Sequence, residues 1–294
     1  MHYIVTGAEG FLGRRVVEAL VRADHSIVAV DRIAHQGDVL SGVTYRQADL
    51  SDPATLIPDG IGPFTLIHLA WDMRRHAGFE IQAEQVRQFA ALLDRWAGNG
   101  LTRLVSMGSA EEYGGISSAT IRESDPPVLP LSPYGWAKRA AHDLAVSWSM
   151  RTGIPVVWPR PFIIYGPGQK GDMMIPYAIA CAREGREADF TDGKQMRDFI
   201  FIEDVVQGIV KAVEADVQGF HACNLGRGEP VAVRDVLIAI ADHFDAGQRF
   251  HLGARPRRVG EPEVQTADTT KAHDLLGWSA TVDWREGLKR TLQG

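Results

Sequence analysis

Residues 2–23, HYIVTGAEGFLGRRVVEALVRA, constrain the fold more than any other stretch of the chain. The apolar run YIVTG (3–7) reads as a buried strand and FLGRRVVEALVRA (11–23) as an amphipathic helix. Gly7, Gly10 and Gly13 fall within eight residues between and inside them. Glycine weakens strands and helices alike, so this density implies that backbone must come close to something. In a strand–turn–helix unit a pyrophosphate fits that role. Glycines let it approach, and the helix N-terminus supplies N–H donors and positive dipole. The spacing is G-x-x-G-x-x-G rather than the commoner G-x-G-x-x-G, and a tight turn with a small-residue contact is the competing explanation.

The strand–helix alternation continues. SIVAVD (26–31), VTYRQADL (43–50), FTLIHLA (64–70), RLVSMGS (103–109) and IPVVWPR (154–160) read as strands, with helices at 80–97 and 134–151 among the segments between them. Such repetition predicts an α/β protein with a doubly wound parallel sheet covered on both faces. After Arg160 the texture changes. PFIIYGPGQKGDMM (161–174) and RPRRVGEPEVQTAD (255–268) read as loops, 175–185, 203–215 and 233–244 as helices, and FHACNLGRGEPV (220–231) as holding a short strand. The expected organisation is a dinucleotide-binding domain over 1–160 and a smaller, mixed C-terminal substrate lobe over 161–294. Some segments cross back to the first domain, and a ligand cleft lies between the two.

Composition narrows the partners. The 294 residues carry a net charge of −6, which argues against nucleic acid or an anionic membrane. No stretch approaches the ~20 apolar residues of a membrane span. The N-terminus lacks a basic segment followed by a long apolar run, so no signal peptide is expected and the cytoplasm is the expected compartment. Cys181 and Cys223, far apart and beside apolar residues, read as buried thiols, and no CxxC or histidine cluster points to a metal.

Two further sets of residues carry chemistry. Asp31 ends the second strand, 18 residues beyond Gly13, where a carboxylate can accept hydrogen bonds from the adenosine ribose hydroxyls. That favours NAD, because a 2′-phosphate would meet a like charge. Arg32 could instead pair with such a phosphate, which keeps NADP open. Asp49, at the end of the third strand, is positioned either for adenine or as a turn or helix-capping residue. In LSPYGWAK (131–138), Tyr134 and Lys138 stand four residues apart and share a helix face, with Ser132 as the expected cap and Pro133 in the first turn. An ammonium near a phenol stabilises the phenolate, which suits a tyrosine to exchange a proton with a carbonyl or alcohol oxygen. Ser109, at a strand end, would hydrogen-bond the same oxygen; in isolation each of these is more often a surface or turn residue.

Taken in order, TGAEGFLG, the DL at 49–50, the HLA at 68–70, GSAEEYG (108–114), SPYGWAK (132–138), RPFIIYGPGQ (160–169), RDFIFIEDV (197–205), NLGRGEPV (224–231) and RRVGEP (257–262) resemble the extended short-chain dehydrogenase/reductases, in particular their nucleotide-sugar epimerase/dehydratase group, nearly end to end. The resemblance implies a Rossmann domain holding NAD(P) and a catalytic set of Ser109, Tyr134 and Lys138. It implies cofactor contacts from Phe11, Leu12, Leu50, Leu69, Ala70 and Pro161, beside the glycines. It also implies a nucleotide-sugar substrate whose diphosphate is gripped by Arg197 and Arg258, with Glu261 and Ser109 also among the substrate-binding residues. A homodimer is implied through the helices at 80–97 and 134–151, whose Phe89, Leu92 and Leu93, and Leu144, Val146 and Trp148, look surplus to covering the sheet.

The reaction is narrowed by departures from the group's patterns. Ala110 stands where 4,6-dehydratases have an aspartate, and alanine cannot protonate a leaving hydroxyl, so dehydration is disfavoured. Glu111 is either a proton-handling residue or an exposed carboxylate without a role. Ile163 replaces an asparagine that touches the sugar nucleotide in many relatives. GSAEEYG followed by SPYGWAK is most similar to GDP-4-keto-6-deoxy-mannose reductases, so a 4-keto-6-deoxy-sugar reductase acting at C4 is the leading expectation. A 4-epimerase with tightly held NAD is the alternative, and a non-catalytic dinucleotide-binding sensor is the alternative of another class.

Overall fold

The computed structural model describes residues 2–21, 25–58, 60–74, 78–129, 131–170 and 173–294. The chain runs through β1 (His2–Thr6), α1 (Gly13–Val21), β2 (Ser26–Asp31), β3 (Val43–Gln47), β4 (Phe64–His68), α2 (Phe79–Trp96), β5 (Leu101–Ser106), β6 (Ser118–Ile121), α3 (Pro133–Thr152) and β7 (Val156–Pro161). It continues through β8 (Ile163–Tyr165), α4 (Met174–Glu184), β9 (Ala188–Phe190), β10 (Met196–Arg197), β11 (Phe199–Phe201), α5 (Ile202–Glu214) and β12 (Phe220–Leu225). It ends with β13 (Val231–Ala232), α6 (Val233–His243), β14 (Phe250–Leu252), β15 (Val264–Ala267), α7 (Thr270–Leu276) and α8 (Trp284–Gln293).

The main sheet has seven parallel strands in the order β12-β7-β5-β4-β1-β2-β3. Successive residues of its central strands are buried on opposite faces. Val5, Ile67, Val105 and Val157 join the core that includes α1, α4, α5, α6 and α8. Ile4, Leu66, Leu104, Val156 and Trp158 join a second core under α2 and α3. Strands buried on both sides leave no polar alternation, which is why they read as near-continuous apolar runs. β1 pairs with β2 on one side and β4 on the other, residue for residue over His2–Thr6. The strand order therefore reverses between β1 and β4, and the crevice at the C-terminal ends of these two strands is where open α/β sheets bind ligands.

The C-terminal half adds β13, β10 and β15, which form a smaller sheet with β6 of the first half in the order β13-β10-β15-β6, and two parallel strand pairs, β8–β11 and β9–β14. Two expectations need correction here. β8 lies inside 161–174 and β15 inside 255–268, both read as loop from the sequence. Their hydrogen-bond partners, β11 for the first and β10 and β6 for the second, are distant in sequence, so no local alternation marks them. A third concerns the helices. Phe89, Leu92 and Leu93 of α2 and Trp148 of α3 are buried within the chain itself. They cover the sheet, and only Leu144 and Val146 of the named set keep partial exposure. Both cysteines are buried free thiols. Residues 22 and 23 of the expected first helix and 171–172 of the expected loop lie outside the described residues. Among the described residues no helix is long and apolar enough to cross a membrane.

Candidate active site

The glycine turn folds tightly on itself at the end of β1. Gly7 has φ +73°, and a Cβ there would lie 2.7 Å from the Ala70 amide nitrogen, just past the end of β4. A Cβ on Gly13 would lie 2.0 Å from the Gly7 carbonyl oxygen. These two glycines are thus required by the protein's own close packing. Gly10 lies at the exposed apex, where a Cβ would meet only the Gly7 carbonyl oxygen, at 3.1 Å. α1 carries no acidic residue in its first turn, and the Glu9 carboxylate of the preceding turn is paired with Arg14 at 2.8 Å. Asp31 closes β2, and its two oxygens accept the amides of Glu9 (3.0 Å) and Ile33 (3.1 Å), which ties the acid to the glycine turn. A carboxylate has about four lone-pair sites, so acceptor capacity remains for ribose hydroxyls. This cradle fits a dinucleotide.

Around it, Phe11 and Leu12 pack partly buried on one core, with Leu69 beside them, and Leu50 packs on the other. The Ala70 amide reaches Thr6 Oγ1 at 3.5 Å, and Pro161, buried, ends β7. Arg32 is exposed, and the charge it places near Asp49 helps lower the Asp49 pKa. The larger cause is Ser51, whose amide Asp49 Oδ1 accepts at 2.8 Å. Asp49 therefore makes a turn hydrogen bond through Oδ1, and its carboxylate keeps acceptor capacity for adenine.

The serine, tyrosine and lysine come from two adjoining pieces. Ser109 caps a short 3-10 turn, Ala110–Tyr113, and its Oγ accepts the Glu111 amide at 3.1 Å. Ser132 caps α3 by accepting the Gly135 amide (3.0 Å) and donates to Glu111 Oε2 (2.7 Å), so one hydroxyl stitches the turn to the helix. A Cβ on Gly135 would sit 2.5 Å from the Glu111 carbonyl oxygen, which is why this helix position is glycine. Tyr134 and Lys138 are both buried. The Lys138 ammonium donates to the Met107 carbonyl at 2.8 Å and lies 3.7 Å from the Trp71 ring centroid and 5.9 Å from that of Tyr134. Behind it, buried His68 bonds Thr6 Oγ1 through Nδ1 at 2.8 Å. Burial, reinforced by the Lys138 charge, pushes its imidazole down to about 3.

Sequence reasoning missed the support beneath this site. Trp71 lies under Lys138, and its Nε1 donates to buried Gln82 at 3.0 Å. Glu112 is fully buried and accepts from Ser109 N, Trp158 Nε1 and Arg160 Nε. One signal was available: an arginine inside the buried strand of VVWPRP requires a buried acid.

In the smaller sheet, Arg197 on β10 is buried. Its Nη1 donates to the Met196 and Pro262 carbonyls, and its Nη2 pairs with Glu261 at 2.9 Å. Burial lowers the Arg197 pKa, with Glu261 opposing that shift. The RDF and RRVGEP motifs are thus brought together through Glu261, whose carboxylate is already engaged by Arg197. Arg258 is exposed, and its carbonyl accepts the Glu261 amide at 3.1 Å. Ile163 packs partly buried on the core and donates its amide to the Asp198 carbonyl.

A doubly wound sheet with a glycine cradle at its switch point defines a dinucleotide-binding protein. The profile of the NAD dependent epimerase/dehydratase family matches residues 3–226, and the chain belongs to that family of extended short-chain dehydrogenase/reductase enzymes. A UDP-glucuronate 4-epimerase from Thermodesulfobacterium geofontis is 28% identical, over 99% of this chain and 95% of its own. MoeE5, solved with UDP-glucose and NAD, is 30% identical with a TM-score of 0.87 over 100% of this chain and 98% of its own. The UDP-glucuronic acid 4-epimerase of Bacillus cereus, solved with UDP-glucuronic acid and NAD, is 27% identical with a TM-score of 0.87 over the same shares.

Proposed function

We propose that the protein is an NAD-dependent 4-epimerase of a UDP-sugar. The observation that carries this is likeness over the whole chain to UDP-sugar 4-epimerases and to a protein binding UDP-glucose with NAD. It favours the epimerase over the reductase suggested by GSAEEYG.

A bound nicotinamide cofactor would supply reversible hydride chemistry at the sugar carbon. The cradle of Gly7, Gly10 and Gly13 with Asp31 would hold it, supported by Phe11, Leu12, Leu50, Leu69, Ala70 and Pro161. The phenol oxygen of Tyr134 takes the proton of the C4 hydroxyl and gives it back. Lys138 supplies the positive charge that favours the phenolate. Ser109 donates a hydrogen bond to the same C4 oxygen. Glu111, tied to Ser132, braces the turn against α3 and is assigned no proton step. Arg197 and Arg258 hold the diphosphate, Arg197 exchanging part of its contact with Glu261 for phosphate oxygens. The division near Arg160 into cofactor and substrate parts belongs to this proposal, as does a twofold homodimer through the outer faces of α2 and α3, where Leu144 and Val146 remain partly exposed.

The test is to incubate the purified protein with UDP-glucose or UDP-glucuronate, adding no reductant, and to resolve C4 epimers by NMR. Interconversion is expected without net change in absorbance at the nicotinamide band. Failure to epimerise, together with stoichiometric consumption of reduced cofactor by a 4-keto-sugar nucleotide, would restore the reductase.

A further inference from the structure

The proposed chemistry uses Ser109 but leaves unexplained a charged group buried directly beneath it. Glu112 is 1% exposed, and its partner Arg160 is also 1% exposed. Glu112 Oε1 accepts the Ser109 amide at 2.9 Å and Trp158 Nε1 at 2.9 Å. Its Oε2 accepts Arg160 Nε at 2.7 Å. Arg160 then donates through Nη1 to the Tyr113 hydroxyl (3.0 Å), and that hydroxyl donates to Asn224 Oδ1 (2.7 Å) on β12. A continuous polar chain therefore runs from the catalytic turn, through β7, to the edge strand of the main sheet. Gly108 is part of the same device, because a Cβ there would lie 2.6 Å from Glu112 Oε1 and 2.3 Å from Trp158 Nε1.

Burying an ion pair is costly, and replacing it by apolar groups is often neutral or better for stability. Stability alone is thus a weak reason for this acid. Geometry gives a stronger one. Ser109 and Glu112 form a reciprocal capping box that fixes the Ser109 backbone while Ser109 Oγ accepts the Glu111 amide. With that lone pair used, the hydroxyl proton is left for an acceptor beyond the turn.

We propose that Glu112 is a positioning residue for Ser109. Its carboxylate, paired with the Arg160 guanidinium, holds the serine amide so that the hydroxyl meets the sugar oxygen. This rests on the reading of Ser109 above.

A double-mutant cycle on kcat tests it. Ser109→Ala alone should lower kcat roughly a hundredfold, as for loss of one preorganised donor. Glu112→Gln offers one oxygen where three donors converge. In the Ser109 parent it should lower kcat about ten- to a hundredfold, the scale of a ~1 Å misplacement. NAD retention should be unchanged. In the Ser109→Ala background the same substitution should change kcat less than about threefold. Glu112→Asp keeps the charge facing Arg160 but shortens the arm by one methylene, and the cycle is read on it if the glutamine variant does not fold. Equal losses in both backgrounds, or no loss in the parent, overturn the proposal while leaving the site reading intact. Undiminished turnover in Ser109→Ala alone overturns both.

Discussion

Gly135→Ala separates the geometry of the site from the stability of the fold. The new Cβ would sit 2.5 Å from the Glu111 carbonyl oxygen and 3.2 Å from Ser132 Oγ. The nearer obstacle is backbone and cannot rotate aside, so ordinary contact requires the start of α3 to retreat from the turn by about 0.9 Å. That movement stretches the 2.7 Å Ser132–Glu111 hydrogen bond and carries Tyr134 away from Ser109. A misplacement near 1 Å costs up to ~100-fold in rate. Alanine is the better helix former by up to ~1 kcal/mol, which offsets part of the strain. Turnover should therefore fall about a hundredfold, while NAD retention and the unfolding midpoint change little. The assay is C4 epimerisation of the UDP-sugar under saturating substrate, with thermal unfolding measured alongside. Turnover within threefold of the parent would show that the contact between turn and helix does not set the catalytic geometry.

Tyr134→Phe should reduce turnover by ~10²–10⁴-fold with cofactor retention intact, and near-normal epimerisation in this variant would remove Tyr134 from proton transfer. Asp31→Ala should narrow or reverse the preference for NAD over NADP. Equal affinities in the unmodified protein, read by fluorescence titration, would count against that role. Arg197→Ala should raise KM by roughly ten- to a hundredfold with a smaller effect on kcat, since charge-assisted contacts of this kind are worth ~1.5–3 kcal/mol. An unchanged KM would displace the diphosphate from this residue. His68, held down to about 3 in the fold, stays neutral where an unfolded histidine near 6.5 takes up a proton. Its contribution is present above pH 6.5 and is lost as pH falls towards 3, by up to ~1.4 kcal/mol per pH unit. His68→Gln should flatten that acid limb in urea unfolding measured from pH 7 to pH 5, and parallel slopes would refute the assignment.

The parts of the site legible in the sequence are those built from neighbours along the chain. Gly7, Gly10 and Gly13 sit in one turn, Asp31 closes an unmistakable strand, and the Ser132 cap fixes the phase that puts Tyr134 and Lys138 on one face. The supports were not legible, because their partners are remote. Arg160 stands 48 positions from Glu112, and the sequence offers several acids without saying which is buried. Trp71 meets Lys138 only after β4 and α3 have packed. β15 reads as loop because its partners come from β10 and β6. Phe89, Leu92, Leu93 and Trp148 looked like interface because a helix's apolar stripe does not declare which surface it will meet.

The position of β12 bears on how this protein can be cut and recombined. Residues 220–225 complete the main sheet beside β7, whose Val156, Val157 and Trp158 are wholly buried. A fragment stopped at Arg160 would turn β7 into an open apolar edge, the kind of surface that recruits other chains. A chimaera joined there to the rear half of a relative would place its seam inside a strand pair, and between Tyr113 and Asn224, rather than in a linker. An exchange of the loops around β10 and β15 with those of a relative therefore keeps the main sheet whole only if residues 1–160 and 220–225 stay from one parent.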